Sequence, residues 1–165
     1  LTIASMSTLA AALCNSGISD RATRQGTTIV YEPETQTAWT GNFLGNKHTL
    51  PMLLEAGPLP YIETVTKFKT TLDVRRIVPG HGPMAKADAA DRLIRYLYTL
   101  QEDVAEAKAA GLSAEAAVEA VPLREEFHLP WWFPAPLLHK LEPNFHRLNV
   151  LSTYRSMEAG GGTER

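Results

Sequence analysis

The sequence predicts a mixed α/β (α+β) chain, and three observations carry that prediction. Runs rich in β-branched and aromatic residues lie at Thr27–Tyr31 and Gln36–Thr40, and a further short strand candidate lies at Asp73–Val78. Apolar residues recur at three- and four-residue steps in the segments between and after those runs. Gly and Pro punctuate the two kinds of segment, most densely at Pro79-Gly80-His81-Gly82-Pro83. A length of 165 residues suits one domain with a single core. Within it, 1–26 reads as an N-terminal helix and loop, 27–83 as a hairpin, loop, helix and strand, and 84–165 as a helical region.

Each element follows from local chemistry. Met6, Leu9, Ala10 and Leu13 are helically spaced before a stop at Asn15-Ser16-Gly17. The strand runs at 27–31 and 36–40 flank Glu32-Pro33-Glu34-Thr35, which predicts a β-hairpin. Gly41-Asn42 ends the second strand, and Phe43–Pro58, with Gly45, Pro51, Gly57 and Pro58, reads as a long loop of the kind on which sites are built. Pro60 suits a helix N-terminus, and Ile62, Val65, Phe68 and Leu72 predict an amphipathic helix to about Thr71. Asp73–Val78 then runs as a strand into the Gly- and Pro-rich turn that holds His81.

The remainder reads as helical. Leu93, Leu97, Leu100, Val104 and Ala107 mark one face of a helix within Lys86–Ala110, stopped by Gly111. Ser113 caps a second helix, Ala114–Val121, which Pro122 ends. Phe127–Pro136 is too Pro-rich for an element interior and is expected to lay its aromatics over the core as an irregular strap. A last helix is expected after Pro143, with Leu148, Leu151, Tyr154 and Met157 toward the core, before Gly160-Gly161-Gly162.

Composition narrows the function classes. With 44% hydrophobic and 21% charged residues, the chain can bury a core and is not disordered as a whole. Sixteen Lys and Arg against eighteen Asp and Glu leave a formal charge of −2, which gives no global field for nucleic acid or an acidic membrane. No uninterrupted apolar run is long enough to span a bilayer. One cysteine, Cys14, excludes an internal disulfide framework and a Cys-rich zinc knuckle; it reads as a buried apolar residue and is compatible with a cytoplasmic, reducing compartment.

Five histidines are present, none spaced as a helical zinc pair. His128, His139 and His146 read as surface or hydrogen-bonded structural residues. His81 differs because both neighbours are glycines, which leave room for the imidazole to point into a pocket at a strand end.

Two segments resemble the metallo-β-lactamase superfamily. The run Thr28-Ile29-Val30-Tyr31-Glu32-Pro33-Glu34-Thr35-Gln36-Thr37-Ala38-Trp39-Thr40-Gly41-Asn42 is similar to the hairpin that leads into T-G-D in that family. Ile77-Val78-Pro79-Gly80-His81-Gly82-Pro83 is similar to its late P-G-H-G-P turn. The helices between and after them occur in the same order, so the resemblance covers most of Thr27–Ala110, and the final helix with Asn149 and Tyr154-Arg155 is similar to the tail of many hydrolase-like members. The resemblance implies the C-terminal half of a four-layer αββα sandwich, with a one- or two-metal zinc site at one edge. There a metal-bound hydroxide attacks an ester, thioester, amide or phosphoester.

Carried over by residue, the resemblance makes His81 a metal ligand and puts Asn42 where the family has a bridging carboxylate. An amide oxygen is neutral and a poorer ligand for such a cation. Thr23 stands where the family's H-x-x-G turn has its histidine, and the principal motif H-x-H-x-D-H is missing from the chain. His48, in the loop after Asn42, offers a replacement ligand.

Zinc is therefore expected to be weakly held or absent. Leu1 in place of Met adds the expectation of a cropped chain, inactive by itself, whose parent is a metal-dependent hydrolase of small molecules. The alternative is a degenerate, non-catalytic scaffold used for binding or self-association, and a weaker third reading is a helical interaction module built on Lys86–Ala110. A half sandwich leaves one apolar sheet face uncovered, so a homo-oligomer or a missing N-terminal half is the expected partner. The loops at Phe43–Pro58 and Phe127–Pro136 are apolar without a charged clamp, which favours a hydrophobic acyl or aromatic ligand.

Overall fold

The computed structural model describes residues 29–46, 48–53, 57–132 and 136–160. The expected helix at Met6–Leu13, Cys14 and the Thr23–Gly26 turn lie outside them. The elements run β1 (Val30–Glu32), β2 (Thr37–Gly41), α1 (Pro58–Thr71), β3 (Arg76–Pro79), β4 (Ala85–Lys86), α2 (Asp88–Ala109), α3 (Ala114–Ala120) and α4 (Pro136–Glu158), with a 3-10 turn at Glu125–Phe127 between α3 and α4. The result is a mixed α+β fold with one four-stranded sheet in the order β1-β2-β3-β4.

The hairpin forms where the sequence predicts it. β1 and β2 pair antiparallel, with Tyr31 opposite Ala38 and Glu32 opposite Thr37. Its turn is held by the Glu32 carboxylate, which accepts the Glu34 N–H at 3.2 Å and the Thr35 N–H at 3.0 Å. The Thr35 hydroxyl also donates to it and holds the Glu32 carboxyl below its usual range. Gln36, with φ 52°, turns its carbonyl toward the N–H groups of Arg75 at 2.8 Å and Arg76 at 3.1 Å. That docking delays the third strand: Asp73 accepts the Tyr31 hydroxyl at 2.8 Å instead of joining a ladder, and pairing begins only at Arg76.

β3 pairs parallel to β2, so the chain crosses from one to the other through α1 as a strand-helix-strand unit. Beyond the Pro79–Pro83 turn the chain pairs back antiparallel as β4, with Ile77 opposite Ala85. The sequence reading assigned Lys86 to the following helix; the backbone instead uses it in the ladder, and α2 starts at Asp88.

Strand period then sorts the faces. The row Tyr31, Ala38, Ile77 and Ala85 turns toward the helices, with Ala38 and Ile77 fully buried. The neighbouring row Val30, Trp39 and Val78 points the other way, leaving Val30 47% and Trp39 41% exposed. Opposite, Tyr61, Ile62, Val65 and Phe68 of α1 and Leu93, Leu97, Leu100, Val104 and Ala107 of α2 complete one core, on the faces that their spacing predicts. Ser113 caps α3 as expected, its Oγ accepting the Ala116 N–H at 3.2 Å.

Two expectations are corrected in the C-terminal region. Among the described aromatics of the strap only Phe127 turns inward, edge-on to Tyr96 at 5.4 Å, whereas Trp131 is 90% and Trp132 57% exposed. The 3-10 turn aims one ring at the core, and the buried Glu142 carboxylate then fixes the Leu129 N–H at 2.5 Å, so the two tryptophans emerge beyond the buried Leu129. The last helix begins at Pro136, not after Pro143, and the expected inward set holds only in part: Tyr154 is buried and Met157 packs against the core. Leu148 is 50% exposed, while His146, Asn149, Val150 and Thr153 are buried beside Tyr154. Pro143 lies on the exposed side, where water can hydrogen-bond a carbonyl that the missing N–H leaves unpaired.

Candidate functional site

Because β2 and β3 are parallel, their carboxyl ends lie at one edge of the sheet, where open α/β sheets bind ligands. There the Gly41-Asn42 turn meets the Gly80-His81 turn. The Gly80 N–H donates to the Gly41 carbonyl at 2.8 Å. A Cβ on Gly80 would stand 3.1 Å from both Asn42 Oδ1 and the Gly41 carbonyl carbon, so the two turns approach as closely as a glycine allows. Gly82, at φ 84°, adopts the left-handed conformation that closes the histidine turn.

Asn42 and His81 both line a cavity of about 260 Å³. Its walls are the loop from Phe43 to Met52, the first turns of α2 at Ala89, Arg92, Leu93 and Tyr96, and Phe145 of α4. The loop is built by its own polar side chains: the buried Thr40 hydroxyl donates to the Leu44 carbonyl at 2.6 Å, and the Tyr61 hydroxyl donates to the Phe43 carbonyl. Asn46 is the staple. Buried itself, it donates from Nδ2 to the Pro83 carbonyl at 3.1 Å and accepts the His48 N–H on Oδ1 at 3.1 Å, which ties the loop to the far side of the His81 turn. Sequence reasoning passed over Asn46; its only signal was the turn dipeptide Gly45-Asn46.

The floor is a chain of hydrogen bonds with a determined direction. The Val121 carbonyl can only accept, so His146 Nε2 carries the proton of their 3.0 Å bond. The neutral ring then accepts the Tyr96 hydroxyl on Nδ1 at 3.1 Å. Asn149 Nδ2 donates to the Tyr96 oxygen at 2.9 Å and to the Pro51 carbonyl at 2.9 Å, while its Oδ1 accepts the Leu53 N–H at 2.8 Å. Burial pushes the Tyr96 phenol up, so it stays protonated, and burial pulls His146 down, which keeps the ring neutral.

The structure thus brings together two of the sequence-derived site residues, Asn42 and His81. His48 is not among the cavity-lining residues; its ring packs edge-on against Trp132 at 5.5 Å. His128 pairs with Glu142 at 3.0 Å, and His139 lies half-exposed on α4. Among the described residues no group of three or more His, Cys, Asp and Glu stands close enough to hold a metal. One imidazole and one amide oxygen fall short of the three protein ligands of a catalytic zinc site, so these residues do not fit a complete metal centre. Among the described residues no helix is long and apolar enough to cross a membrane. A scan against protein-family models finds no match to this chain, and a search of curated proteins finds none either.

Proposed function

We propose that this chain carries one edge of a metallo-β-lactamase-like, metal-dependent hydrolase of an ester, thioester, amide or phosphoester. In this reading the sheet and helices are the later half of an αββα sandwich. The observation that carries it is the meeting of Asn42 and His81 at the carboxyl ends of two paired parallel strands, beside a cavity. The two turns are distant in sequence, and the resemblance assigned a metal ligand to each. With two donors in place the chain is proposed to lack turnover by itself, and no hydrolytic step is assigned to its residues.

One observation favours a second reading, a scaffold that binds without catalysis. By the resemblance Asn42 stands where the family has a carboxylate, and a neutral amide is poorer at bridging metals and does not offset their charge. Under both readings the row of exposed Val30 and Trp39 with half-buried Val78 is the surface proposed to meet a second copy of the chain or another layer of the sandwich.

Zinc retention tests the proposal. After dialysis, elemental analysis is expected to find substoichiometric zinc, raised by Asn42→Asp and abolished by His81→Ala. Retention that neither substitution changes would remove the metal edge from the reading. One or two tightly held zinc ions per unmutated chain would instead show that further ligands complete the site and restore a catalytic reading.

A further inference from the structure

The same cavity has a charged wall that no loop supplies. Among the described residues its lining contains one permanent charge, Arg92, and no Asp or Glu. Arg92 is half-buried on the first turns of α2. Its guanidinium lies 5.5 Å from the centre of the Phe127 ring, and Nη2 donates to the Glu126 carbonyl at 2.8 Å. That is one hydrogen bond for a group with five N–H donors, and no carboxylate among the described residues pairs with it. Burial, the largest cause, and the neighbouring Arg95 pull the Arg92 guanidinium down from its ordinary value, against the opposing fields of Glu142 and Glu126. Leu50, Pro51, Met52, Leu93 and Phe145 give the cavity apolar walls, beside the polar Asn42, Asn46, Thr49, His81 and Tyr96.

We infer that the cavity binds a compact amphipathic acid, with its carboxylate on the Arg92 guanidinium, its apolar body against Leu50, Met52, Leu93 and Phe145, and its far end toward Asn42 and His81. An acid supplies the directly paired carboxylate that Arg92 lacks among the described residues, and a planar guanidinium takes a carboxylate through two parallel hydrogen bonds. The volume of about 260 Å³ admits a body on the order of ten non-hydrogen atoms, at the ~30 Å³ that one water molecule occupies in the liquid. Among the described lining residues the charge enters from a helix and not from the loop. The inference takes the cavity to be the ligand site, as the proposed function does, but it does not involve the metal edge.

The test is calorimetric titration of the whole chain with 4-phenylbutyrate and with its uncharged match, 4-phenylbutyramide, both in buffer containing a chelator. The acid is expected to bind roughly tenfold tighter than the amide, the scale of hydrogen bonds to a charged group. Arg92→Met is expected to abolish that preference and Arg92→Lys to keep part of it. Equal binding of acid and amide, binding of neither, or a preference that survives Arg92→Met overturns the assignment. The comparison of acid with amide in the unmutated chain needs no variant to fold. Omitting the chelator separates the two readings. An acid preference seen only without it places the anion on a metal and defeats the Arg92 assignment, whereas failure of the zinc experiment leaves the acid preference unchanged.

Discussion

His146 shows how one buried side chain sets a pH dependence. Its ring must be neutral to accept the Tyr96 hydroxyl while donating to the Val121 carbonyl. Burial lowers its pKa below the ordinary value of 6.5, and His128, Asp103 and Glu142 are the charged groups whose fields reach it. The unfolded chain therefore takes up this proton more readily than the folded one, so the contribution of His146 is fully present above about pH 6.5 and is lost as pH falls through the folded value. Urea unfolding between pH 7.5 and 5 is expected to show falling stability, with a flatter profile in His146→Gln over the same window. An equally steep profile in the variant would assign the dependence to other groups. None of this was legible in the sequence, where His146 reads as an ordinary structural histidine, because the acceptor Val121 and the donor Tyr96 lie on two other helical segments.

At the scale of elements, spacing predicted which face is buried wherever that face is apolar. Leu93, Leu97, Leu100 and Val104 of α2 are buried as their period requires, and so are Ile62, Val65 and Phe68 of α1. In α4 the same rule misleads, because Asn149 and Thr153 are fully buried and Leu148 is exposed. Buried polar groups are tolerated when they are bonded, and each of these is: Asn149 to Pro51, Leu53 and Tyr96, and Thr153 to the Asn149 carbonyl at 2.7 Å. Asn149 thereby fastens α4 to the loop that walls the cavity. Asn149→Leu, which leaves the Leu53 N–H and the Pro51 carbonyl unpaired, is expected to destabilise the fold by about 3 kcal/mol and to loosen the loop. Chemical denaturation measures the first effect and amide hydrogen exchange at Leu53 the second; unchanged protection at Leu53 would show that the fastening lies elsewhere.

For the whole molecule, helices cover one face of the sheet, and on the other face Val30 and Trp39 are exposed beside half-buried Val78. An apolar row across three paired strands is a surface for association. Sedimentation of the chain at micromolar concentration is expected to show a dimer, and Trp39→Glu is expected to return a folded monomer. A compact monomer for the unmutated chain would leave the row as ordinary exposed surface and remove self-association from the proposal.

Taken by itself, the sequence determined the hairpin, the crossover helix, the faces of α1 and α2, the cap of α3 and the two turns that carry Asn42 and His81. Each of these rests on residues close together in the chain: β-branched runs, helical spacing, a capping hydroxyl, glycines in turns. Only the tertiary structure decided that β3 lies parallel to β2, and that pairing is what brings Asn42 beside His81. It also decided that α4 turns hydrogen-bonding side chains inward, and that Arg92 lines a largely apolar cavity. These depend on partners far apart in the chain, whose hydrogen bonds and desolvation exist only once the segments pack, and no local pattern of residue types encodes them.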